Sequence, residues 1–306
     1  MILAAGLTPA FQQILVFDRL RPGEVNRARE VFKCASGKVL NVGLALHHLG
    51  GPSLTLALLG GIEGESIDRE FVSVGIRHRW IWSSKPTRTC VTVLDRSNGV
   101  TTELVENAAP ASSAEIDQFV EAYKEAAKPA QLVVLSGSLP AGTPKTFYRK
   151  LMGETPARVI LDASGEELLA ALPLRPFCVK PNREELGRTL GRSLEAEEDL
   201  RIAIGKVCDL GAEWVVVSQG AKSLWAGRRG MTGVFHPATV PSVNPIGSGD
   251  CLAAGLAWAI REGMEMCDAI RFGMAAAAEN ATMMLPARLD LERVRARTSD
   301  IRYSEV

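Results

Sequence analysis

The chain has 306 residues, 46% of them hydrophobic, and its 35 basic residues balance its 35 acidic residues. This composition suffices for a full apolar core and lacks the basic run that predicts a nucleic-acid or membrane-surface partner. No stretch approaches the ~20 apolar residues of a membrane span. We interpret the apolar N-terminus, which has no basic segment before it, as a buried strand and not a signal peptide. Six scattered cysteines without a C-x-x-C pair predict reduced thiols in a cytoplasmic protein, not a metal site.

The first third of the chain predicts two β-hairpins among the elements of a larger sheet. The first hairpin covers 13–33 around the turn Pro22-Gly23, and the second covers 89–106. Their strands alternate polar and apolar residues, so each should have one solvent-exposed face. Around them we expect a strand, a helix, a strand and a helix, at 1–8, 41–49, 53–60 and 65–74.

From about residue 112, apolar runs alternate with helical patterns. A helix over 113–127 begins behind Ser112, a capping residue. Four apolar runs without alternation predict strands buried on both faces: 131–137, 157–164, 176–182 and 213–220. The strand–helix–strand order indicates right-handed crossovers and a parallel sheet. Two short strands and two helices follow, at 223–226, 233–236, about 249–263 and 268–284.

These elements predict one large α/β domain over 1–306, with a mostly parallel central sheet flanked by helices. A small antiparallel β lid is inserted into it as two segments, about 11–36 and 87–107.

The turn Gly247-Ser248-Gly249-Asp250 predicts an anion site at the start of a helix. The chain has no Walker A loop, no complete G-x-G-x-x-G and no G-x-S-x-G, so phosphate chemistry needs another cradle. The unpaired amides at a helix start attract anions, and glycine lets the backbone approach them closely. A carboxylate in that first turn could accept a proton from an attacking hydroxyl. Taken alone, the turn fits an ordinary helix N-terminus better than a catalytic turn.

A series of segments in order resembles the PfkB, or ribokinase-like, carbohydrate kinase family. The branch it resembles contains 1-phosphofructokinase, tagatose-6-phosphate kinase and the minor 6-phosphofructokinase. Among these segments are ASGKVLNVGLALHHLGG (35–51), TRTCVTVLD (87–95), LSGSLPAGTP (135–144), VKPNREEL (179–186) and NPIGSGDCLAAGL (244–256). The resemblance implies a ribokinase-like fold, with ATP and Mg²⁺ as cofactors.

The resemblance also implies a catalytic base, Asp250, and an anion hole formed by Gly247, Ser248 and Gly249. Asn182 and Glu185 match the N-x-x-E motif, which supports magnesium through water, and their i, i+3 spacing on a helix would point both at one ion. The residues implied for the nucleotide are Lys180, Asn182, Ser218, Gly220, Lys222 and Gly249.

For the sugar, the resemblance implies Gln12, Gly37, Lys38, Asn41, Arg88 and Ser138. Arg88 matches an arginine that meets a phosphate already on the substrate, which arginine can bind with two parallel hydrogen bonds. Each residue also has an ordinary interpretation: Lys180 and Arg88 as surface charges, Glu185 as a helix-face carboxylate, and Asn41 as a cap.

Three residues depart from the branch, all in the sugar site or lid. Gln12 stands where an acid is usual, and a neutral amide both donates and accepts. Val39 stands where a glycine is usual, and we expect it to disfavour positive φ and to crowd the ligand. Cys90 stands where asparagine is common.

The leading hypothesis is transfer of the ATP γ-phosphoryl group to a hydroxyl of a phosphorylated ketohexose, fructose 1-phosphate or tagatose 6-phosphate. One alternative is a kinase of an unphosphorylated sugar or nucleoside, because Gln12 and Val39 reshape the pocket. Another is a catalytically silent sensor of sugar phosphate or nucleotide. We expect small-molecule partners and a homodimer through the lid, since a monomer would expose the lid's apolar face.

Overall fold

The computed structural model describes residues 1–305. Its strands are β1 (Ile2–Gly6), β2 (Ala10–Phe17), β3 (Glu30–Ser36), β4 (Ser53–Leu59), β5 (His78–Trp82), β6 (Thr89–Asp95), β7 (Val100–Val105), β8 (Leu132–Ser136), β9 (Arg158–Asp162), β10 (Cys178–Val179), β11 (Trp214–Val217), β12 (Leu224–Arg228), β13 (Met231–His236) and β14 (Arg302–Glu305). Its helices are α1 (Lys38–His48), α2 (Gly61–Val74), α3 (Ser113–Ala127), α4 (Phe147–Gly153), α5 (Gly165–Ala171), α6 (Arg183–Leu190), α7 (Glu197–Asp209), α8 (Ser248–Arg261), α9 (Met266–Ala281) and α10 (Leu291–Thr298).

The main sheet has ten strands, in the order β14-β13-β12-β11-β10-β9-β8-β1-β4-β5. The seven strands from β11 to β5 are parallel, and β12, β13 and β14 extend the sheet in antiparallel fashion. The predicted mostly parallel sheet is therefore confirmed. The elements that were not predicted lie at its two edges, β5 at one and α10–β14 at the other.

The central strands of the main sheet are buried on both faces, which explains their continuous apolar runs. Along β1, Ile2 and Ala4 enter a core shared with α1, α8 and α9. Their neighbours Leu3 and Ala5 enter a second core, on the opposite face, shared with α3 to α7. Because successive strand residues point to opposite faces, a strand between two helical layers needs apolar residues at every position.

The small sheet has the strand order β3-β2-β6-β7. Both predicted hairpins occur as antiparallel pairs, β2–β3 and β6–β7, although the first lies a few residues from its predicted bounds. A parallel pair, β2–β6, joins the two hairpins, and the sequence pattern did not predict this joint.

The six cysteines are free thiols, five of them buried. Within residues 1–305, no helix combines the length and apolarity needed to cross a membrane.

Candidate active site

Distant polar residues come together where the parallel strands of the main sheet end. This edge of the sheet is the side formed by the carboxyl ends of the strands. Asp162 ends β9, Lys180 follows β10 and Ser218 follows β11. The N-termini of α1 and α8 face this edge, since Asn41 of α1 contacts Asp250 of α8. Ligands of open parallel sheets bind at this edge.

The predicted anion site lies at the start of α8. Gly247 precedes the helix with φ of 83°, a backbone conformation that residues other than glycine rarely adopt. The amides of Gly247 and Gly249 have no acceptor within residues 1–305, whereas the Ser248 amide donates to Pro245 O at 3.2 Å. Of the three amides predicted to form an anion hole, two are therefore free and the third is already bonded.

Lys180 adds positive charge to these amides. A Cβ atom built on Gly249 would lie 3.7 Å from Lys180 Nζ and near no other heavy atom within 4 Å. The ammonium group therefore lies close to the backbone of Gly249, although Lys180 belongs to the loop that follows β10. Both groups favour a negatively charged ligand at this place.

Asp250 is buried, at 7% exposure, and one of its oxygens is held by Asn41. Asn41 Nδ2 donates to Asp250 Oδ2 at 2.7 Å, and Ser36 Oγ donates to Asn41 Oδ1 at 3.2 Å. The serine bond fixes which end of the amide faces the carboxylate. Burial first, and the nearby carboxylate of Asp162 second, raise the pKa of Asp250 to about 7.

Asp162 is the residue of this site to which sequence reasoning assigned no role. It is 1% exposed, and its Oδ1 lies 3.1 Å from Lys38 Nζ and 3.4 Å from Lys180 Nζ. Burial alone would raise the pKa of Asp162, but the two ammonium groups outweigh it and lower the pKa. A buried acid at the carboxyl end of a parallel strand was the signal that could have identified it.

Asn182 and Glu185 are arranged differently from the expectation that both would point at one ion. Asn182 is the cap of α6, and its Oδ1 accepts the Glu185 amide at 2.8 Å. Glu185 Oε2 in turn accepts the Asn182 amide at 2.8 Å, which completes a capping box. Only Glu185 Oε1 faces the site, 3.6 Å from Lys38 Nζ.

A cavity of about 220 Å³ opens next to Asp162. Its walls include Thr8, Lys38, Arg88, Ser138, Tyr148 and Glu167. Arg88 is half-buried there, and three of its N–H groups donate to the carbonyl oxygens of Pro9, Glu106 and Thr8 at 3.1–3.3 Å. The cavity therefore contains two of the predicted sugar residues with positive charge, Lys38 and Arg88.

Gln12 and Val39 lie outside the walls of this cavity. Gln12 is buried in the small sheet, where its Nε2 donates to Thr92 Oγ1 at 2.7 Å. The expectation that Val39 crowds the ligand was wrong: Val39 lies in the first turn of α1, 1% exposed, and its φ is not positive. The positive φ belongs to Gly37, at 87°, where a Cβ atom would lie 2.8 Å from Ala10 N.

The predicted nucleotide residues 218–222 form a tight loop after β11. Ser218 pairs with Asn182 through an isolated β-bridge, Gly220 has φ of 60°, and the Lys222 amide donates to Gln219 O at 3.1 Å. Lys222 is exposed. Sequence reasoning missed the contact that supports this loop, from Arg183 Nη1 to Gln219 Oε1 at 2.8 Å.

A comparison with protein families identifies the family of the chain. A family model described as pfkB family carbohydrate kinase matches residues 2–288. The chain belongs to this family. It is an ATP-dependent carbohydrate kinase, and the predicted resemblance is confirmed.

Solved structures share the fold of this PfkB kinase over nearly its whole length. A Thermotoga maritima protein described as a possible 1-phosphofructokinase matches with a TM-score of 0.92 at 22% identity, over 100% of this chain and 99% of its own. Escherichia coli phosphofructokinase-2 in complex with fructose-6-phosphate matches with a TM-score of 0.87 at 26% identity, over 98% of this chain and 99% of its own. The tetrameric inhibited form of the Escherichia coli enzyme matches with a TM-score of 0.88 at 25% identity, over 98% of each chain. The predicted ribokinase-like α/β fold is thereby confirmed.

Asn280 of α9 is a further polar residue beside the start of α8 that sequence reasoning missed. It is fully buried, and its Nδ2 donates to Ile246 O at 2.9 Å and to Ser248 Oγ at 3.0 Å. Its Oδ1 accepts the Ala287 amide at 2.7 Å. Asn280 thus joins the turn before α8 to the segment that follows α9.

Proposed function

We propose that this PfkB kinase transfers the γ-phosphoryl group of ATP to a hydroxyl of a phosphorylated ketohexose, with fructose 1-phosphate and tagatose 6-phosphate as the first candidates. The observation that carries this proposal is the buried Asp250 carboxylate beside the free amides of Gly247 and Gly249. The cavity beside Asp162, lined by Lys38 and Arg88, suits a substrate that already carries a phosphate.

In the proposed reaction, Asp250 accepts the proton of the attacking sugar hydroxyl. Asn41 occupies Asp250 Oδ2, which leaves Oδ1 for the substrate. The amides of Gly247 and Gly249, with Lys180 beside them, stabilise the charge on the phosphoryl group in transfer. Ser218, Gly220 and Lys222 are proposed to bind the nucleotide. Ser138, which lines the cavity, is proposed to contact the sugar, and Gln12, Gly37 and Asn41, which do not line it, to hold the surrounding groups in position for the sugar.

The residues present fit a magnesium ion at the phosphate end of ATP. Within residues 1–305, no three His, Cys, Asp or Glu side chains form a metal cluster by themselves, but magnesium binds through one or two carboxylates together with substrate phosphates and water. Asp162 Oδ1 and Glu185 Oε1 already bracket a cationic group, Lys38 Nζ, at 3.1 and 3.6 Å. These two carboxylates would hold the ion, with Asn182 orienting Glu185 through the cap, and the ion would neutralise charge on the transferring phosphate.

The activity should depend on pH through Asp250. The base acts only when ionised, and its pKa lies at about 7. We therefore expect kcat/KM to be constant above that pH and to fall about tenfold per pH unit below it. The measurement is ADP release from about pH 5.5 to about pH 8.5 at saturating magnesium. A profile that stays flat down to the lower limit would contradict the assigned base.

Arg88 is proposed to select a phosphorylated substrate. Three of its five N–H groups are bonded to carbonyl oxygens, so one on each terminal nitrogen remains for a phosphate. Because charge-assisted hydrogen bonds contribute about 1.5–3 kcal/mol each and two would be lost, Arg88→Ala should raise KM for the phosphorylated sugar about 10²- to 10⁴-fold. KM for ATP should change little. Arg88→Lys keeps the charge without the paired geometry, so its KM for the sugar should lie between those of the wild type and Arg88→Ala.

A panel of sugars with and without a phosphate, read by ADP release, tests the substrate class. The proposal predicts turnover of ketohexose monophosphates and none of the matching free sugars. Turnover of a free sugar or nucleoside, unaffected by Arg88→Ala, would replace the proposal with the first alternative. ATP binding without ADP release for any acceptor would replace it with the silent sensor.

We propose further that two copies dimerise through the small sheet. One face of this sheet packs Ile14, Val16, Cys34 and Leu94 against the segment at Met284 and Leu285. Strand register places Leu15, Val31, Val91 and Leu104 on the opposite face, where Val31 is 53% and Leu104 57% exposed. An apolar sheet face of this kind favours a second copy as its cover.

Light scattering at micromolar concentration should therefore give about twice the chain mass of 32.9 kDa. Leu104→Lys should shift the protein to monomer, because a charge would be buried in the interface. A wild-type monomer at that concentration would refute the dimer.

A further inference from the structure

The segment 286–288, which follows α9, forms one wall of the Asp250 site. A Cβ atom built on Gly247 would lie 3.0 Å from Pro286 Cβ, so the proline packs directly against the turn before α8. Ala287 is buried and has φ of 64°, a conformation that a residue other than glycine keeps only where its surroundings impose it. The Ala287 amide donates to Asn280, which also holds Ser248. This wall is therefore held in place by its tertiary contacts, because the backbone of Ala287 by itself would not favour a positive φ.

The end of β3 forms the opposite wall. Ser36, the last residue of β3, donates to Asn41, and Asn41 donates to Asp250. Any displacement of the β3–α1 junction would therefore reach the carboxylate through two hydrogen bonds. The small sheet ends at the same junction, so this wall also connects Asp250 to β2 and β3.

A single ion pair joins the two walls. Glu70 of α2 accepts the Ala35 amide, at the β3–α1 junction, at 2.6 Å through Oε2. Its Oε1 accepts a bond from Arg288 Nη2, and Arg288 Nη1 donates to Pro286 O at 2.5 Å. The side chains of Arg288 and Glu70 are 15% and 24% exposed, so the pair is shielded from solvent more than a surface salt bridge is.

We propose that Glu70 and Arg288 are positioning residues that hold the β3–α1 junction and the 286–288 segment in register on either side of Asp250. The proposal rests on the proposed role of Asp250, because the register matters to catalysis only if that carboxylate reacts. Neither residue touches the cavity or the reacting groups, and both act through Ser36–Asn41 on one side and Pro286–Gly247 on the other. A misplaced carboxylate or amide costs rate far more than it costs binding.

The kinetic test is a double-mutant cycle in kcat with Glu70→Ala and Arg288→Ala. Each single variant should lower kcat about 10- to 100-fold while KM for ATP changes less than about threefold, and the double variant should be no worse than the poorer single one. Arg288→Lys should recover part of the loss, because one of the two bonds is kept. Singles whose losses multiply in the double variant, or kcat within twofold of wild type, would overturn the proposal.

The matched control is the Glu279–Arg297 pair, which is also buried but joins α9 to α10. Arg297 Nε lies 2.7 Å from Glu279 Oε2, and within residues 1–305 neither side chain forms a hydrogen bond or ion pair with a residue of either wall. Arg297→Ala should lower the melting temperature about as much as Arg288→Ala and leave kcat unchanged. Equal kcat losses in both variants would mean that the Glu70–Arg288 pair contributes stability alone.

Hydrogen–deuterium exchange tests the same inference without using activity. In Arg288→Ala, amides in both 34–41 and 247–252 should exchange at least about tenfold faster, and in Arg297→Ala they should exchange as in wild type. If exchange responds in this way but the enzyme phosphorylates no sugar, the proposed function fails, while the positioning role of Glu70 and Arg288 is still supported. Unchanged exchange in both segments overturns the link itself.

Discussion

Asp250→Asn is expected to lower kcat by about 10²–10⁴-fold and to leave the affinity for ATP nearly unchanged. Asparagine has almost the same shape and can still accept the hydrogen bond from Asn41 through its oxygen, but it cannot take a proton from the sugar hydroxyl. The measurement pairs steady-state kinetics with ATP titration by calorimetry. A fully active asparagine variant would reject Asp250 as the base.

The same substitution should stabilise the fold above neutral pH. The folded pKa of Asp250, about 7, lies above its ordinary value of 3.8, so the unfolded chain ionises first. The stability that this group contributes is fully present below about pH 4 and is lost as pH rises through about 7. The asparagine side chain never ionises, so urea unfolding at about pH 8 should show a variant more stable by roughly 1–4 kcal/mol, with no gain at about pH 4.

Asp268→Asn is a suitable control for both measurements. Asp268 is also an acid in the first turn of a helix, α9, but its side chain is 59% exposed and lies outside the site. Its replacement should leave kcat unchanged and cost only the few tenths of a kcal/mol that a surface acid contributes at a helix start. An equal loss of kcat in both variants would mean that helix stability, not proton transfer, causes the effect.

Asp162→Asn should destabilise the protein by about 3–5 kcal/mol, because it leaves the buried Lys180 ammonium group unpaired and removes the nearer of the two carboxylate partners of Lys38. Lys180 is only 3% exposed and has no other carboxylate within ion-pair distance in residues 1–305. Adding Lys180→Met should therefore restore part of the stability, since the unpaired charge is removed with its partner. Urea unfolding of the single and double variants measures this difference.

Asp162→Asn should also shift the pH profile of the activity. The carboxylate of Asp162 is the second cause, after burial, that raises the pKa of Asp250, while Lys38 and Lys180 lower it. Removing the acid frees both lysines to stabilise the ionised base, so the acidic limb of kcat/KM should move below pH 7. The control is Glu167→Gln, which changes a cavity carboxylate paired with Lys145. It should leave the acidic limb of kcat/KM at the same pH as in the wild type.

Local rules predicted most elements of the fold. The apolar runs at β1, β4, β8, β9 and β11 were recognisable because strands between two helical layers carry no polar positions. β5 and β14 were not recognised, since each is a short edge strand with partly exposed residues and no strict alternation. The parallel β2–β6 joint was beyond prediction because it pairs segments separated by helices and by two strands of the other sheet.

The candidate site was also predicted only in part, because only some of its residues belong to local patterns. The Gly247–Asp250 turn and the Asn182–Glu185 cap are local patterns, so their place at helix starts followed from neighbouring residues. The N-x-x-E motif did not show that the capping box occupies Asn182 and one oxygen of Glu185. A cap and a metal site would use the same atoms, so the motif fits both. Nor did they show that Val39 lies inside α1, because a helix can begin one residue after a strained glycine.

The sequence by itself determined the family, the order of most strands and helices, and an acid at the start of α8 beside two glycines. These are properties of neighbouring residues and of their periodicity. Only the tertiary structure brought Asn41 to Asp250 across 209 positions of the chain and put Asp162 between two lysines. The chemistry of the base depends on these contacts, because the pKa of a carboxylate is decided by the water it has lost and the charges it has gained in the folded chain.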